Sequence, residues 1–200
     1  VLNWNGAIDT IGCGKSLRDL NVSDYKIIIV DNCSMDNSYD TIKENLNSLY
    51  IADKSIIEVK YEDRNKYKTL ENDKIILIQS PQNNGYASGN NIGIEFALNQ
   101  ENMKYVWVLN NDTEVDKEAL THLISKCDSD KSIGICGSRL VYFADREMQQ
   151  GLGGVHNKWL CTTKNYEMGR LVSKKYDDEV ISNDIDYIIG ASMFFSRECL

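Results

Sequence analysis

The sequence is poor in proline and histidine, with one Pro and two His in 200 residues, and it has no basic block. A single proline rules out a Pro-rich linker. The chain carries 22 Lys+Arg against 30 Asp+Glu, a net charge of −8, and no stripe of basic residues, which argues against a nucleic-acid partner. The longest apolar runs, such as Ile27-Ile-Ile-Val30, fall far short of the ~20 residues needed to cross a bilayer. The six cysteines (Cys13, Cys33, Cys127, Cys136, Cys161, Cys199) contain no C-x-x-C and no disulfide-framework spacing, so free, mostly buried thiols in a reducing setting are expected. No low-complexity segment or internal repeat is visible. The opening Val1-Leu-Asn-Trp4 has neither a starting Met nor the basic flank of a signal peptide. It reads as the inside of a strand, and residues 192–200 read as structured too, so the expectation is a domain cut at both ends.

What is present is an alternation of short apolar runs and helical patterns. Strands are expected at residues 1–5, 26–30, 74–78 and 105–109, each followed by a stretch with apolar residues at helical spacing. The helices expected are one capped by Asp9 and running toward Leu20, one with Tyr39, Ile42, Leu46 and Leu49 along a face, one over residues 92–98, and one over residues 116–127. Residues 50–73 read as a solvated excursion with an edge strand at 56–61. Further strands are expected at 134–137 and 140–143, long loops over 144–183, and a return to strand over 186–195. β-α repeated about four times implies a mostly parallel α/β sheet.

Two phosphate-binding decoys fail. Gly14-Lys15-Ser16 resembles the end of a P-loop, but the glycine required five residues earlier is Asp9. The Gly85/Gly89 stretch lacks G-x-G-x-x-G, which makes an NAD-dependent Rossmann enzyme a poor reading.

Polar clusters follow four of the strands: Asn3 and Asn5, Asp31-Asn32, Asn83 to Asn91, and Asn110-Asn111-Asp112. In a parallel sheet those strand ends share one edge, where ligands bind. Each cluster alone has a plain explanation as an Asx turn or a flexible loop. Together they suggest a cleft with helix N-terminal amides suited to phosphate and oxygen ligands suited to Mg²⁺ or Mn²⁺.

Four motifs then occur in order: Val30-Asp-Asn-Cys-Ser-Met-Asp36, Asn84-Gly-Tyr-Ala-Ser-Gly-Asn-Asn-Ile-Gly93, Leu109-Asn-Asn-Asp-Thr113 and Asp186-Tyr-Ile-Ile-Gly-Ala-Ser-Met193. They resemble the family 2 glycosyltransferases of the GT-A fold, and within them a rhamnosyltransferase-like subgroup. The resemblance implies one GT-A domain over residues 1–200, with a nucleotide-sugar-binding half (1–127) and an acceptor-side half (128–200). It implies inverting transfer from a nucleotide-diphospho-sugar to an acceptor hydroxyl on a glycan or lipid-linked acceptor, in surface polysaccharide or glycan synthesis. The expected setting is the cytoplasm, with peripheral association at the inner face of the membrane as a further candidate.

By the same resemblance, Asn3, Asn5 and Asp31 would hold nucleobase and ribose, and Asn84, Gly85, Gly89 and Asn90 would border the nucleotide. Asn110-Asn111-Asp112 falls on the family's D-x-D metal motif. Its first position is Asn, which leaves Asp112 as the expected direct ligand of Mg²⁺ or Mn²⁺. Gly190, Ala191 and Ser192 match the acceptor-side motif. The general base, a carboxylate shortly after that motif in the family, is expected beyond Leu200, while Asp145, Asp177, Asp178, Asp184 and Asp186 read as surface charges. His122 reads as a surface or partly buried helix residue, His156 as a minor candidate for the cleft, and Trp4 as a stacking or core residue. Two alternatives stay open: a non-catalytic nucleotide-sugar-binding module, and a nucleotidyltransferase. The second would want a Gly-rich, Arg/Lys-bearing loop after the first strand, where the chain has Asn3-Trp-Asn-Gly6.

Overall fold

In a computed structural model, residues 1–49, 56–68 and 75–200 are described, without the side chains of residues 48, 49 and 178. Residues 50–55 and 69–73 of the expected excursion, the strand start at Lys74 and the side chain of the helix-face position Leu49 therefore lie outside what is described.

Four parallel strands form the first sheet, in the order β1 (Leu2–Asn3), β2 (Ile27–Asp31), β4 (Ile75–Gln79), β3 (Ile56–Lys60). Strand β5 (Tyr105–Leu109) joins alongside β1 through a parallel bridge between Leu2 and Asn110. Strand β11 (Ser192–Ser196) then inserts antiparallel between β5 and β6 (Ile135–Gly137). The architecture is thus an α/β sheet with a parallel centre and an antiparallel flank.

Strands β2 and β4 are apolar up to their last residues, Asp31 and Gln79, because both faces are covered. Ile27, Ile29, Ile75 and Leu77 face the larger core, with Ile11 and Leu17 of α1 (Ala7–Arg18), Ile42 and Leu46 of α2 (Ser38–Leu49), and Leu120 and Leu123 of α4 (Ala119–Ser129). Val30, Ile76 and Ile78 face the other core, with Ile92 and Phe96 of α3 (Gly85–Leu98). Gly14 sits inside α1 for a packing reason: a Cβ there would stand 2.9 Å from Leu46 Cδ2. Arg197 closes the C-terminal end of α3, its guanidinium donating to the carbonyls of Leu98, Gln100 and Met103.

Several expectations need correction. Helix α1 starts at Ala7 with Gly6 as its cap, so Asp9 lies in its first turn. Helix α3 starts at Gly85 instead of Ile92, which puts Gly89 and Asn90 on a helix. Helix α4 starts at Ala119, and Asp116 precedes it, accepting from the Glu118 N–H at 2.8 Å. Residues 144–183 are not all loop. They hold β8 (Gln149–Gly151), which pairs with β7 (Leu140–Val141), the hairpin β9 (Gly154–Asn157) and β10 (Thr162–Asn165), and α5 (Asp178–Asp184). Of the six cysteines only Cys13 and Cys127 are buried; all six are free thiols.

Candidate active site

The C-terminal ends of β1, β2, β4 and β5 lie on one edge, and each runs into a tight turn. Asn5 (φ 51°), Cys33 (φ 59°) and Gly85 (φ 86°) adopt the left-handed region after β1, β2 and β4. Two of these are not glycine, a conformational cost that tends to concentrate at functional sites.

Behind the edge runs a buried polar network. Asn3 donates from Nδ2 to Asp31 Oδ1 (2.7 Å) and Ser34 Oγ (3.1 Å), and its Oδ1 accepts from the Thr10 hydroxyl (2.8 Å). Asp31 also accepts from the Ser34 hydroxyl (2.6 Å) and the Ser34 N–H (3.0 Å). Asn111 turns inward and donates to Thr10 Oγ1 (3.2 Å) and the Gly6 carbonyl (3.4 Å). Asn3, Thr10 and Asp31 are fully buried, so here they hold the β1 and β2 ends in register and keep the turn after β5 against α1.

The second layer faces the opening. Asn32 donates from Nδ2 to Asn83 Oδ1 (2.9 Å), while its Oδ1 is buried without a protein partner. A buried orphan acceptor is costly unless a ligand or water meets it. Asn83 Oδ1 also accepts from the Gly85 N–H (2.9 Å). The N–H groups of the first turn of α3 have no partner inside the helix, and Asn84 supplies no side-chain cap. Gly89 lies under this turn, where a Cβ would stand 2.5 Å from Leu2 Cδ1 and 3.2 Å from Asn32 Cγ. Its lack of a side chain lets α3 press onto β1 and β2. Asn90 donates back to the Tyr86 carbonyl (3.0 Å).

The third layer is the turn after β5. The Tyr86 hydroxyl bridges Asn110 Oδ1 (2.8 Å) and the Gly190 carbonyl (3.1 Å), and burial pushes its pKa up, so it stays protonated and able to donate. The Asn110 N–H donates to the Ala191 carbonyl (3.1 Å). Ser192 is buried, its hydroxyl accepting from Trp107 Nε1 (2.9 Å) and sharing a proton with the Ser138 hydroxyl (2.8 Å). The Gly190–Ser192 turn and the Asn110–Asp112 turn are therefore in contact, with Tyr86 as the pin between them. Asp112 is the exposed carboxylate of this set.

Of the residues expected at the site, the structure leaves Asn5, Asn84, Gly85, Asp112 and Gly190 exposed, Asn90, Asn110, Asn111 and Ala191 half-buried, and Asn3, Asp31, Gly89 and Ser192 buried. Sequence reading carried Asn32 within the Asp31-Asn32 cluster but gave it no role of its own, and it did not single out Tyr86, which lies inside a quoted motif. Trp4 is more than half exposed beside the β1 turn. His122 is exposed on α4, and His156 lies on β9, its N–H donating to Asp186 (2.7 Å). Asp145, Asp177 and Asp184 make local bonds, to the Glu147 N–H, the Glu179 N–H and the Tyr166 hydroxyl. The Asp178 side chain lies outside the described residues.

Residues 10–198 match the sequence profile of glycosyl transferase family 2. The chain belongs to that family. The low-salt glycan biosynthesis hexosyltransferase Agl10 of Haloferax volcanii is 33% identical over 106 residues, which is 51% of this family 2 chain and 32% of Agl10. A mannosyltransferase of Pyrobaculum calidifontis, solved in complex with GDP-Man and Mn²⁺, superimposes with a TM-score of 0.57 at 11% identity, over 98% of this chain and 43% of that one. TarS of S. aureus (residues 1–349) aligns at a TM-score of 0.49, 13% identity, over 82% of this chain and 45% of that one. The fold is that of the GT-A glycosyltransferases. The chain spans about a third of Agl10 and less than half of either solved structure. Among the described residues no helix is long and apolar enough to cross a membrane.

Proposed function

We propose that this family 2 domain transfers a sugar from a nucleotide-diphospho-sugar to an acceptor hydroxyl, with inversion, in the synthesis of a surface polysaccharide or similar glycan. The observation that carries the reading is the convergence of the α3 N-terminus, the orphan Asn32 Oδ1 and the exposed Asp112 on one sheet edge. Residues 1–127 would form the donor half and 128–200 the acceptor half. A rhamnosyltransferase-like specificity and a cytoplasmic site of action, at or near the inner face of the membrane, extend the reading.

Asn5, Asn84 and Gly85 would border the nucleotide, with Asn32 offering its unpaired carbonyl oxygen to a donor group of the ligand. Asn3 and Asp31, buried and bonded to each other, would hold the turns that make those contacts. The α3 N-terminus would receive the diphosphate through its amides and the positive end of the helix dipole. Gly190 and Ala191 would line the acceptor side.

The residues at the β5 turn fit a divalent ion of the hard, oxygen-preferring kind. No group of three His, Cys, Asp or Glu side chains converges among the described residues, so a closed protein cage is not formed. One exposed carboxylate suits an ion that keeps waters and takes its other ligands from substrate phosphates. Asp112 would hold Mg²⁺ or Mn²⁺ there, and Asn110, its Oδ1 bonded to Tyr86, would be a positioning group. When bound, the ion would offset the negative charge that builds on the departing nucleoside diphosphate. The general base is not assigned to a described residue.

The test is to incubate the full-length protein with UDP-, GDP- and dTDP-sugars, with and without Mn²⁺, and to measure free nucleotide. Metal-dependent release with one donor is expected, and Asp112→Ala should lower it at least about a hundredfold. Nucleotide binding without release by any donor would favour a non-catalytic binding module. Pyrophosphate-dependent formation of nucleoside triphosphate would favour a nucleotidyltransferase. Full activity in Asp112→Ala would sink the metal assignment.

A further inference from the structure

The acidic character of the chain is not spread evenly. Residues 151–166, which contain the β9–β10 hairpin, include no Asp or Glu, but do include Lys158 and Lys164. Over residues 151–175 there are five basic residues and one acidic one, Glu167, which is bonded to Lys174 (2.6 Å) and sits 3.6 Å from Arg170. Lys158 and Lys164 enter no ion pair among the described residues. Everything outside this segment carries the negative balance. Two acidic groups from outside it touch the segment: Asp186 accepts from the His156 backbone N–H and Asp184 from the Tyr166 hydroxyl.

The tip of the hairpin is apolar and outward. Trp159 is 95% exposed and Leu160 70% exposed. Neither is loosely placed: Asn157 Oδ1 accepts from the N–H groups of both residues (3.0 Å each), and Cys161 closes the turn at φ 51°. A large aromatic and an adjacent aliphatic side chain, held outward next to lysines, lose apolar contact with water only if something covers them. The hairpin stem is mostly polar, with Thr162 opposite Asn157 and Thr163 opposite His156, and its one apolar side chain, Val155, is half-buried, so the large exposed apolar side chains are at the tip.

We propose that this hairpin docks the protein on an anionic lipid surface, with Trp159 and Leu160 entering the headgroup layer and Lys158 and Lys164 meeting the lipid phosphates. Tryptophan favours the membrane–water interface because its ring is apolar while its N–H finds a partner there. Lysines near an anionic surface contribute about 1 kcal/mol each. The acidic body would be repelled by such a surface, and the hairpin shape removes that obstacle. Strands of four residues place the tip, with Lys158, about 13 Å beyond the hairpin base, past the Debye length of about 8 Å at physiological salt, while Lys164, opposite Val155, lies nearer that base. A glycan is the rival occupant, since the hollow of about 520 Å³ in this hairpin is lined by Trp159, His156, Asn157 and two threonines together with Val155 and both lysines. Leu160 beside Trp159 and the acid-free, lysine-bearing strands favour lipid.

This inference does not depend on the transfer reaction. The full-length protein is sedimented with phosphatidylcholine vesicles, with and without phosphatidylglycerol, and tryptophan emission is recorded. Binding to the anionic vesicles, weakened by added salt, is expected, with a blue shift of emission that Trp159→Phe removes. The double variant Trp159→Ser/Leu160→Ser should lose binding, and Lys158→Gln/Lys164→Gln should weaken it about thirtyfold, at about 1 kcal/mol for each lysine. Thermal midpoints should not move, because these side chains are exposed. Should a variant prove unstable, quenching of wild-type Trp159 emission by brominated lipid decides the matter alone. The proposal is overturned by absence of binding to either vesicle, or by binding that both variants retain. Hairpin-dependent self-association or binding of soluble oligosaccharide, with no vesicle binding, would overturn it equally.

Discussion

The two halves of the molecule solve the problem of a polar interior differently. In the sheet around β1, β2 and β4, apolar side chains fill both faces, and the buried Asn3, Thr10 and Asp31 satisfy one another at the strand ends. From Cys127 to Phe194 no apolar side chain between the two is fully buried among the described residues. That second region is centred on Gln149, which is fully buried and donates from Nε2 to the Glu167 carbonyl (2.6 Å) and to Tyr176 Oη (3.1 Å). Gln149 Oε1 has no partner. Its glycines are covered by half-exposed side chains: Ile185 lies over Gly153, Ile188 over Gly137 and Ile189 over Gly151. The densely packed first region suits the nucleotide site proposed above. The second, with its exposed apolar residues, suits the proposed contacts with acceptor or membrane.

The contrast is broken or sharpened most by paired substitutions at the two polar centres. Asn3→Leu takes a donor from the buried Asp31 carboxylate and an acceptor from Thr10, and should cost about 3 kcal/mol. Gln149→Met removes an acceptor that is already unpaired together with the Nε2 donor to the Glu167 carbonyl and Tyr176 Oη, neither of them charged, and should cost less, about 1.5 kcal/mol. Chemical denaturation measures both. Equal losses would end the distinction. If Asn3→Leu left stability intact and only raised KM for the donor, Asn3 would be a substrate contact and not a brace.

What could be read from the sequence follows the same division. The short apolar runs of β2 and β4 are visible because a strand buried on both faces has no other composition open to it, and β5, half-buried over its first three residues, is visible by its aromatic and β-branched residues. The start of α3 was hidden because Gly85, Gly89, Asn90 and Asn91 are poor helix formers. Packing overrules propensity there: only glycine at position 89 lets the helix lie on Leu2. The burial of Asn3 and Asp31 was hidden because the pairing of two strand ends is a long-range fact. The hairpin β9–β10 was hidden because Thr162-Thr-Lys-Asn165 has no buried face, so no apolar alternation marks it. The placement of β11 between β5 and β6 has no local signature at all.

Gly89→Ala tests the claim that close packing, and not loop freedom, explains the glycines of the motif. The added Cβ meets the Leu2 and Asn32 side chains at 2.5 and 3.2 Å, so the buried Leu2 side chain must turn aside or α3 must shift from β1. A loss of about 2 kcal/mol in thermal or chemical unfolding is expected. A neutral result would return position 89 to a purely ligand-facing role.

The smallest effect concerns the edge strand β3. Glu58 accepts from Lys43 and from the Tyr39 hydroxyl (3.0 Å), which ties β3 to α2. The hydrogen bond from Lys43 holds the Glu58 carboxyl below its usual 4.5; partial burial acts against this, and Tyr39 adds to it. A depressed folded pKa means that the unfolded state takes up protons first as pH falls. The contribution is therefore present above about 4.5 and is lost as pH drops through the lower folded value. Glu58 is partly exposed, so after solvent screening the pair contributes about 0.5 kcal/mol. Unfolding of wild type and Glu58→Gln should differ by that amount at pH 7 and converge at pH 3. A gap that persists at pH 3 would mean that Glu58 acts through packing and not through its charge.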